Sequence, residues 1–103
     1  MKRLLIFEGA LCCSTGVCGP DPDKALIQLN EDVKRLKAEF PGDSITRASL
    51  SFSAAAFLEN PDILAMVNEQ GTGVLPVTTL DGKVLATRRY MSYVEMRAAL
   101  VGE

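Results

Sequence analysis

Apolar and polar positions alternate with changing period along the chain, and each change marks an element. Leu4, Leu5, Ile6 and Phe7 form a short continuous apolar run, which predicts a buried strand over residues 2–7. After a loop, Asp21-Pro22-Asp23 reads as a helix start, with Asp21 at the N-cap and Pro22 at the first helical position. Ala25, Leu26, Leu29, Val33, Leu36 and Phe40 then recur at helical spacing as one stripe, and Pro41-Gly42 ends the helix. Residues 44–50 alternate as a second strand. Ser51 to Asn60 reads as a loop with a short helical turn.

Asn60-Pro61 repeats the cap-then-proline pattern and opens another helix, with Ile63, Leu64, Met66 and Val67 on its apolar face and Gly71 at its end. Residues 74–80 and 83–87 read as two strands joined by Asp81-Gly82, a strong two-residue hairpin signal. Ser92 caps a last helix running to Leu100, with Tyr93, Met96, Ala99 and Leu100 toward the core. The predicted order is β-α-β-α-β-β-α. The first two strands are joined by a long helical crossover, so parallel pairing is expected. The last two form an antiparallel hairpin. The fold class expected is α/β and thioredoxin-like, a mixed four-stranded sheet flanked by helices.

The chain has 103 residues, the size of one domain, so residues 1–103 are read as a single unit. Its hydrophobic fraction of 48% suffices for one core and excludes a disordered or collagenous composition. The formal net charge is −2, so the overall field gives nucleic-acid binding no help. Lys34-Arg35-Leu36-Lys37 and Arg88-Arg89 are local basic clusters, read as the solvated face of a helix and of a strand end. No helix-turn-helix pattern or arginine-rich recognition helix stands out. The N-terminal apolar run breaks at Glu8, too early for a signal peptide, and no segment is long enough to cross a membrane. A cytoplasmic location is expected.

The chemistry concentrates in one loop. Cys12, Cys13 and Cys18 are the only cysteines, and the chain has no histidine. Adjacent cysteines pair poorly, because their Cα atoms lie about 3.8 Å apart, below the usual disulfide range of roughly 4.4–6.8 Å. The loop leads into a helix N-terminus, whose orphan amides favour thiolates, while Asp21 and Asp23 disfavour them. Gly16 and Gly19 let the backbone turn tightly there.

Four readings of this loop compete. Thioredoxin-like redox catalysis uses Cys-x-x-Cys, a spacing the chain lacks. Zinc favours four ligands, and three thiolates without an imidazole leave one position to water, a carboxylate or another chain; monovalent copper accepts fewer. Trivalent arsenic or antimony takes three thiolates in a pyramid, and those thiolates cancel its formal charge. The cysteines could instead be small buried hydrophobes, although loops lie at surfaces.

The segment Cys12-Cys13-Ser14-Thr15-Gly16-Val17-Cys18-Gly19 resembles the signature of the ArsD family of arsenic metallochaperones. The likeness extends through the N-terminal strand, Asp21 and the following helix, Leu75-Pro76 and the Asp81-Gly82 hairpin. It implies a cytosolic, non-enzymatic protein that carries trivalent arsenic or antimony on Cys12, Cys13 and Cys18, with no organic cofactor. The implied partners are the catalytic ATPase of an arsenite efflux pump, with glutathione as metalloid donor. Operator DNA, through a weak repressor activity, and a second copy of the chain are implied as well. The thioredoxin-like fold also implies a cis bond at Leu75-Pro76, facing the cysteine loop. Longer members carry further vicinal cysteine pairs, absent here, so one site is expected. Where the family often has Gly-Arg-Tyr-Pro after the last strand, this chain has Arg88-Arg89-Tyr90-Met91, and Arg89 and Tyr90 read as strand-end contacts.

Overall fold

A computed structural model describes residues 1–9, 23–51 and 54–102. Its elements in chain order are β1 (Arg3–Glu8), α1 (Lys24–Glu39), β2 (Ser44–Ser49), α2 (Ala54–Glu59), α3 (Pro61–Gln70), a 3-10 turn (Thr72–Val74), β3 (Val77–Leu80), β4 (Lys83–Thr87) and α4 (Tyr93–Val101). The sheet order is β2-β1-β3-β4. β1 pairs parallel with β2 and antiparallel with β3, and β3 pairs antiparallel with β4. The expected mixed four-stranded sheet flanked by helices is therefore observed.

β1 lies inside the sheet, and its period of two feeds a core on each face. Leu4 and Ile6 pack with Leu29, Val33 and Leu36 of α1 and with Met96 and Leu100 of α4. Phe7 turns to the opposite face, where it meets Ala48, Phe57, Ile63, Val74 and Val77. The Phe7 and Phe57 rings meet edge to face with centroids 5.2 Å apart. Such a pair adds about 0.5–1.5 kcal/mol to the area it buries. Covering on both faces explains why β1 reads as a continuous apolar run rather than an alternating one.

Several expected boundaries move. β1 starts one residue later and runs through Glu8, where the apolar run was expected to end it. The N-cap of α1 is Asp23, not Asp21: the Asp23 carboxylate accepts the amide of Ala25 at 2.8 Å. Asp21 and Pro22 lie outside the described residues. β2 ends at Ser49. The segment expected as a loop with a short turn holds α2, a six-residue helix. Asn60 does precede α3, but its side chain makes no cap; it donates back to the Ala56 carbonyl at 2.7 Å. β3 begins at Val77 instead of Val74. Val74 closes the 3-10 turn, and Pro76 has no N–H to give to a ladder.

Both ends of the hairpin and of the last helix follow their local chemistry. Asp81 and Gly82 take φ of 51° and 87°, the two positive values that a primed two-residue turn needs. Ser92 and Glu95 form a reciprocal capping box at the start of α4. At its other end, Lys2 Nζ donates to the Leu100 carbonyl at 2.8 Å, a cation where the helix dipole is negative. α1 and α4 are tied together by Tyr93, which donates its hydroxyl to Glu39 while the Arg35 guanidinium lies 4.2 Å above its ring. Among the described residues, no helix is long and apolar enough to cross a membrane.

Candidate functional site

Cys12, Cys13 and Cys18 fall in residues 10–22, outside the described residues. The structure describes the frame that carries them: Glu8 and Gly9 before the segment, Asp23 and α1 after it, and the sheet end between. Among the described residues, no group of three or more His, Cys, Asp or Glu side chains could hold a metal ion.

The near root of the segment is unusual. Glu8 is fully buried, although it is charged and ends a strand. It shares the core-facing register with Leu4 and Ile6, so burial follows from the pleat. Arg47 occupies the matching register on β2, two residues after buried Ile45. Its guanidinium grips the carboxylate in a fork, Nε to Oε2 and Nη2 to Oε1, both at 2.7 Å. The Arg47 side chain keeps 9% of its exposure. A bidentate pair of this kind fixes direction as well as distance.

Tyr90 completes the group, donating its hydroxyl to Glu8 Oε1 at 2.6 Å. Burial, then this hydrogen bond, then the Glu8 charge push the phenol well above its usual range, with Arg47 acting against them. The Asp23 charge adds the smallest of the upward effects. The backbone carbonyl of Glu8 accepts the Leu50 amide at 3.1 Å.

The connection that bears Tyr90 is itself anchored. Arg88 takes a positive φ of 62°, its amide donates to the Val74 carbonyl at 2.9 Å, and its guanidinium reaches Gln70 at 3.1 Å. Arg89 forms a fork with Glu95 at 3.0 and 2.9 Å. The Arg89 hydrogen bond, with the Ser92 amide next, lowers the Glu95 carboxyl to about 2. Met91 packs into the α1–α4 core. Arg89 and Tyr90 thus make the strand-end contacts expected of them. An open cleft of about 470 Å³ lies beside Tyr90, between Ala25, Gln28 and Leu29 of α1 and residues 91–95.

Leu75-Pro76 is cis, as the fold resemblance implied. It stands one residue beyond the Phe7–Val77 pair, which brings it beside the Glu8 end of β1. The cis proline and the Glu8 group therefore lie at the same end of the sheet. The basic cluster on α1 is solvated, with Lys34 3.6 Å from Glu31 and Arg35 3.9 Å from Glu39.

A model of the family described as arsenical resistance operon protein ArsD matches residues 1–102. The chain belongs to the ArsD family. A provisionally named arsenical resistance operon repressor ArsD of Halobacterium salinarum is 40% identical over 96 residues, covering 93% of this chain and 88% of the relative. The arsenical resistance operon trans-acting repressor ArsD of Escherichia coli is 38% identical over 96 residues, covering 93% of this chain and 78% of the relative. The crystal structure of an arsenical resistance operon trans-acting repressor from Bacteroides vulgatus superposes with a TM-score of 0.81 at 28% identity, covering 93% of this chain and 89% of the other. This family membership agrees with the resemblance carried by the cysteine signature.

Reading the sequence alone missed Glu8 and Arg47. The signal was present: an acid and a base, each two residues after a buried aliphatic on predicted adjacent strands. Tyr90 was singled out, but its partner was not.

Proposed function

We propose that the chain is a carrier of trivalent arsenic or antimony within an arsenical resistance system. One observation carries this reading: all three cysteines of an ArsD-family chain without histidine fall in the single segment joining β1 to α1. Cys12, Cys13 and Cys18 supply three thiolates, the number that a trivalent metalloid takes. The product is electrically neutral and needs no buried counter-ion.

Loading and delivery proceed by thiol exchange. A metalloid bound to three glutathione thiolates is transferred to Cys12, Cys13 and Cys18. Each new metalloid–sulfur bond releases one glutathione, and the cysteine proton leaves with it. Thiolates of the catalytic ATPase of an efflux pump then displace the three cysteines one at a time. Neither step consumes an oxidant or changes the metalloid's oxidation state, so the chain acts in the reducing cytoplasm as a carrier and not as an enzyme.

The names of the relatives favour a second reading, a repressor of an arsenical resistance operon; on that reading the chain would leave operator DNA when metalloid binds. Dimerisation would suit it, because two-fold operators are read by two-fold proteins. The two readings share the cysteine site and differ in what it controls. A thiol oxidoreductase is less well supported, since four residues separate Cys13 from Cys18.

Titration of the fully reduced protein with arsenite and with zinc, read by bound metal per chain and by thiolate absorption, tests the carrier. Expected are one arsenic per chain and weaker binding in each of Cys12→Ser, Cys13→Ser and Cys18→Ser. Each thiol proton leaves with an arsenite hydroxide as water, so arsenite affinity should change little between neutral and mildly acid pH, whereas zinc, which takes thiolates and releases their protons, should bind more weakly there. Tight zinc with weak arsenite, or indifference to Cys18→Ser, would defeat the reading. Operator binding lost on adding arsenite would establish the repressor.

A further inference from the structure

β2 is an edge of the sheet, joined to β1 and to no other described strand. Its side-chain pattern sets its alignment poorly. Within Ser44–Ser49 the one large aliphatic is Ile45, and the two faces divide as Ile45, Arg47 and Ser49 against Ser44, Thr46 and Ala48. Faces so alike in apolar content specify a register weakly. The structure nonetheless holds one register, with Leu4 opposite Ile45 and Ile6 opposite Arg47. We infer that the buried fork between Arg47 and Glu8, joined by Tyr90, is a register lock, a conformational device that admits β2 to the sheet in this alignment alone.

The lock acts through what each wrong alignment leaves behind. A slip of one residue in either direction turns Arg47 to the face of Phe7 and Phe57, because side chains alternate along a strand. Glu8, fully buried, is then a charge without a cation. A slip of two that sets Arg47 opposite Leu4 keeps the face but carries the guanidinium roughly 6.6 Å farther from Glu8. That distance breaks a fork whose two bonds are each 2.7 Å. The opposite slip of two keeps Arg47 beside Glu8, but it sets Asp43 opposite Leu4, in the place where Ile45 is now buried. A carboxylate among those aliphatic side chains has no cation either. Every alternative therefore buries an unpaired charge.

Stability alone does not account for the pair, since apolar side chains of equal volume commonly replace a buried ion pair without loss. What they lack is direction. Both oxygens of Glu8 are engaged, Oε2 by Arg47 Nε, and Oε1 by Arg47 Nη2 and the Tyr90 hydroxyl. The alignment also matters beyond the strand. β2 leads into α2, where Phe57 meets Phe7 edge to face at 5.2 Å, so the lock helps to seat α2 as well.

The test compares four forms of the whole, reduced chain: unaltered, Glu8→Leu/Arg47→Met/Tyr90→Phe, Glu8→Gln, and Asp43→Ala. Amide resonances, inter-strand contacts and hydrogen exchange are read over residues 2–8 and 44–50, with β3 as reference. The triple variant should keep a urea midpoint near that of the unaltered chain, yet show split or broadened amides in β2. Glu8→Gln keeps the shape of the side chain and removes its charge, and should speed exchange in β2 about tenfold more than in β3. Asp43→Ala removes the other hydrogen bond at the start of β2, to the Lys2 amide, and should keep one register. A triple variant with one sharp set of β2 resonances in the unaltered alignment would overturn the lock. Splitting in Asp43→Ala would do so too, by assigning the register to the turn before β2. If the triple variant does not fold, Glu8→Gln decides, and exchange that rises equally in β2 and β3 refutes the inference.

Discussion

Tyr90 and Glu8 are 82 residues apart in sequence and share a hydrogen bond of 2.6 Å. That bond joins the connection after the last strand to the end of the first, across the part of the sheet where the cysteine segment begins. The carboxylate it reaches is also held by Arg47 from β2. Three elements therefore meet at one buried charge.

Removing one partner of that charge should cost far more than removing both. Arg47→Met leaves the Glu8 carboxylate buried without its cation, and a loss of about 3–5 kcal/mol is expected. Glu8→Leu combined with Arg47→Met should recover most of it, because the desolvation cost disappears with the charge. Urea denaturation of both variants measures this. A double variant no more stable than the single one would show that packing, and not charge, governs the site.

Acid should erase the contribution of Glu95. Its folded-state value of about 2 lies below its ordinary 4.5, held there chiefly by the Arg89 hydrogen bond. A depressed carboxyl stabilises the fold fully above its unfolded value and loses that stabilisation as pH falls toward the folded one. Glu95→Gln should therefore be less stable than the unaltered chain near neutrality, and the gap should close between about pH 4.5 and 2. Thermal melts across that range would show it. A gap that stayed constant into acid would assign the effect to the capping geometry alone.

Arg88 takes a left-handed conformation with φ of 62°. A side chain there costs roughly 1–2 kcal/mol. Glycine removes that strain at a smaller entropic cost of roughly 0.5–1 kcal/mol. Arg88→Gly should thus raise the melting temperature modestly, since the amide bond to the Val74 carbonyl survives the change. A lower melting temperature would mean that the exposed Arg88–Gln70 contact outweighs the backbone strain.

Where the determinants were local, the sequence was a sufficient guide. The stripe of α1, the primed turn at Asp81-Gly82, the Ser92 cap and the β4 limits depend on neighbours a few residues away. Periodicity and turn chemistry report on such neighbours directly. The cysteine signature is equally local, since it is a statement about spacing within one segment. Errors arose where a local signal had two solutions: Asp21 and Asp23 both resemble an N-cap, and Asn60 can cap α3 or turn back on Ala56.

Tertiary structure alone decided the Glu8 group. Read along the chain, Glu8 ends an apolar run, Arg47 is one polar residue in an alternating strand, and Tyr90 follows a strand end. Only parallel pairing of β1 with β2 puts Glu8 and Arg47 on one face, and only the return of the chain after β4 brings the phenol over them. A buried charge is tolerated when its partners converge, and convergence of residues 39 and 82 positions apart is a property of topology, which no local pattern encodes.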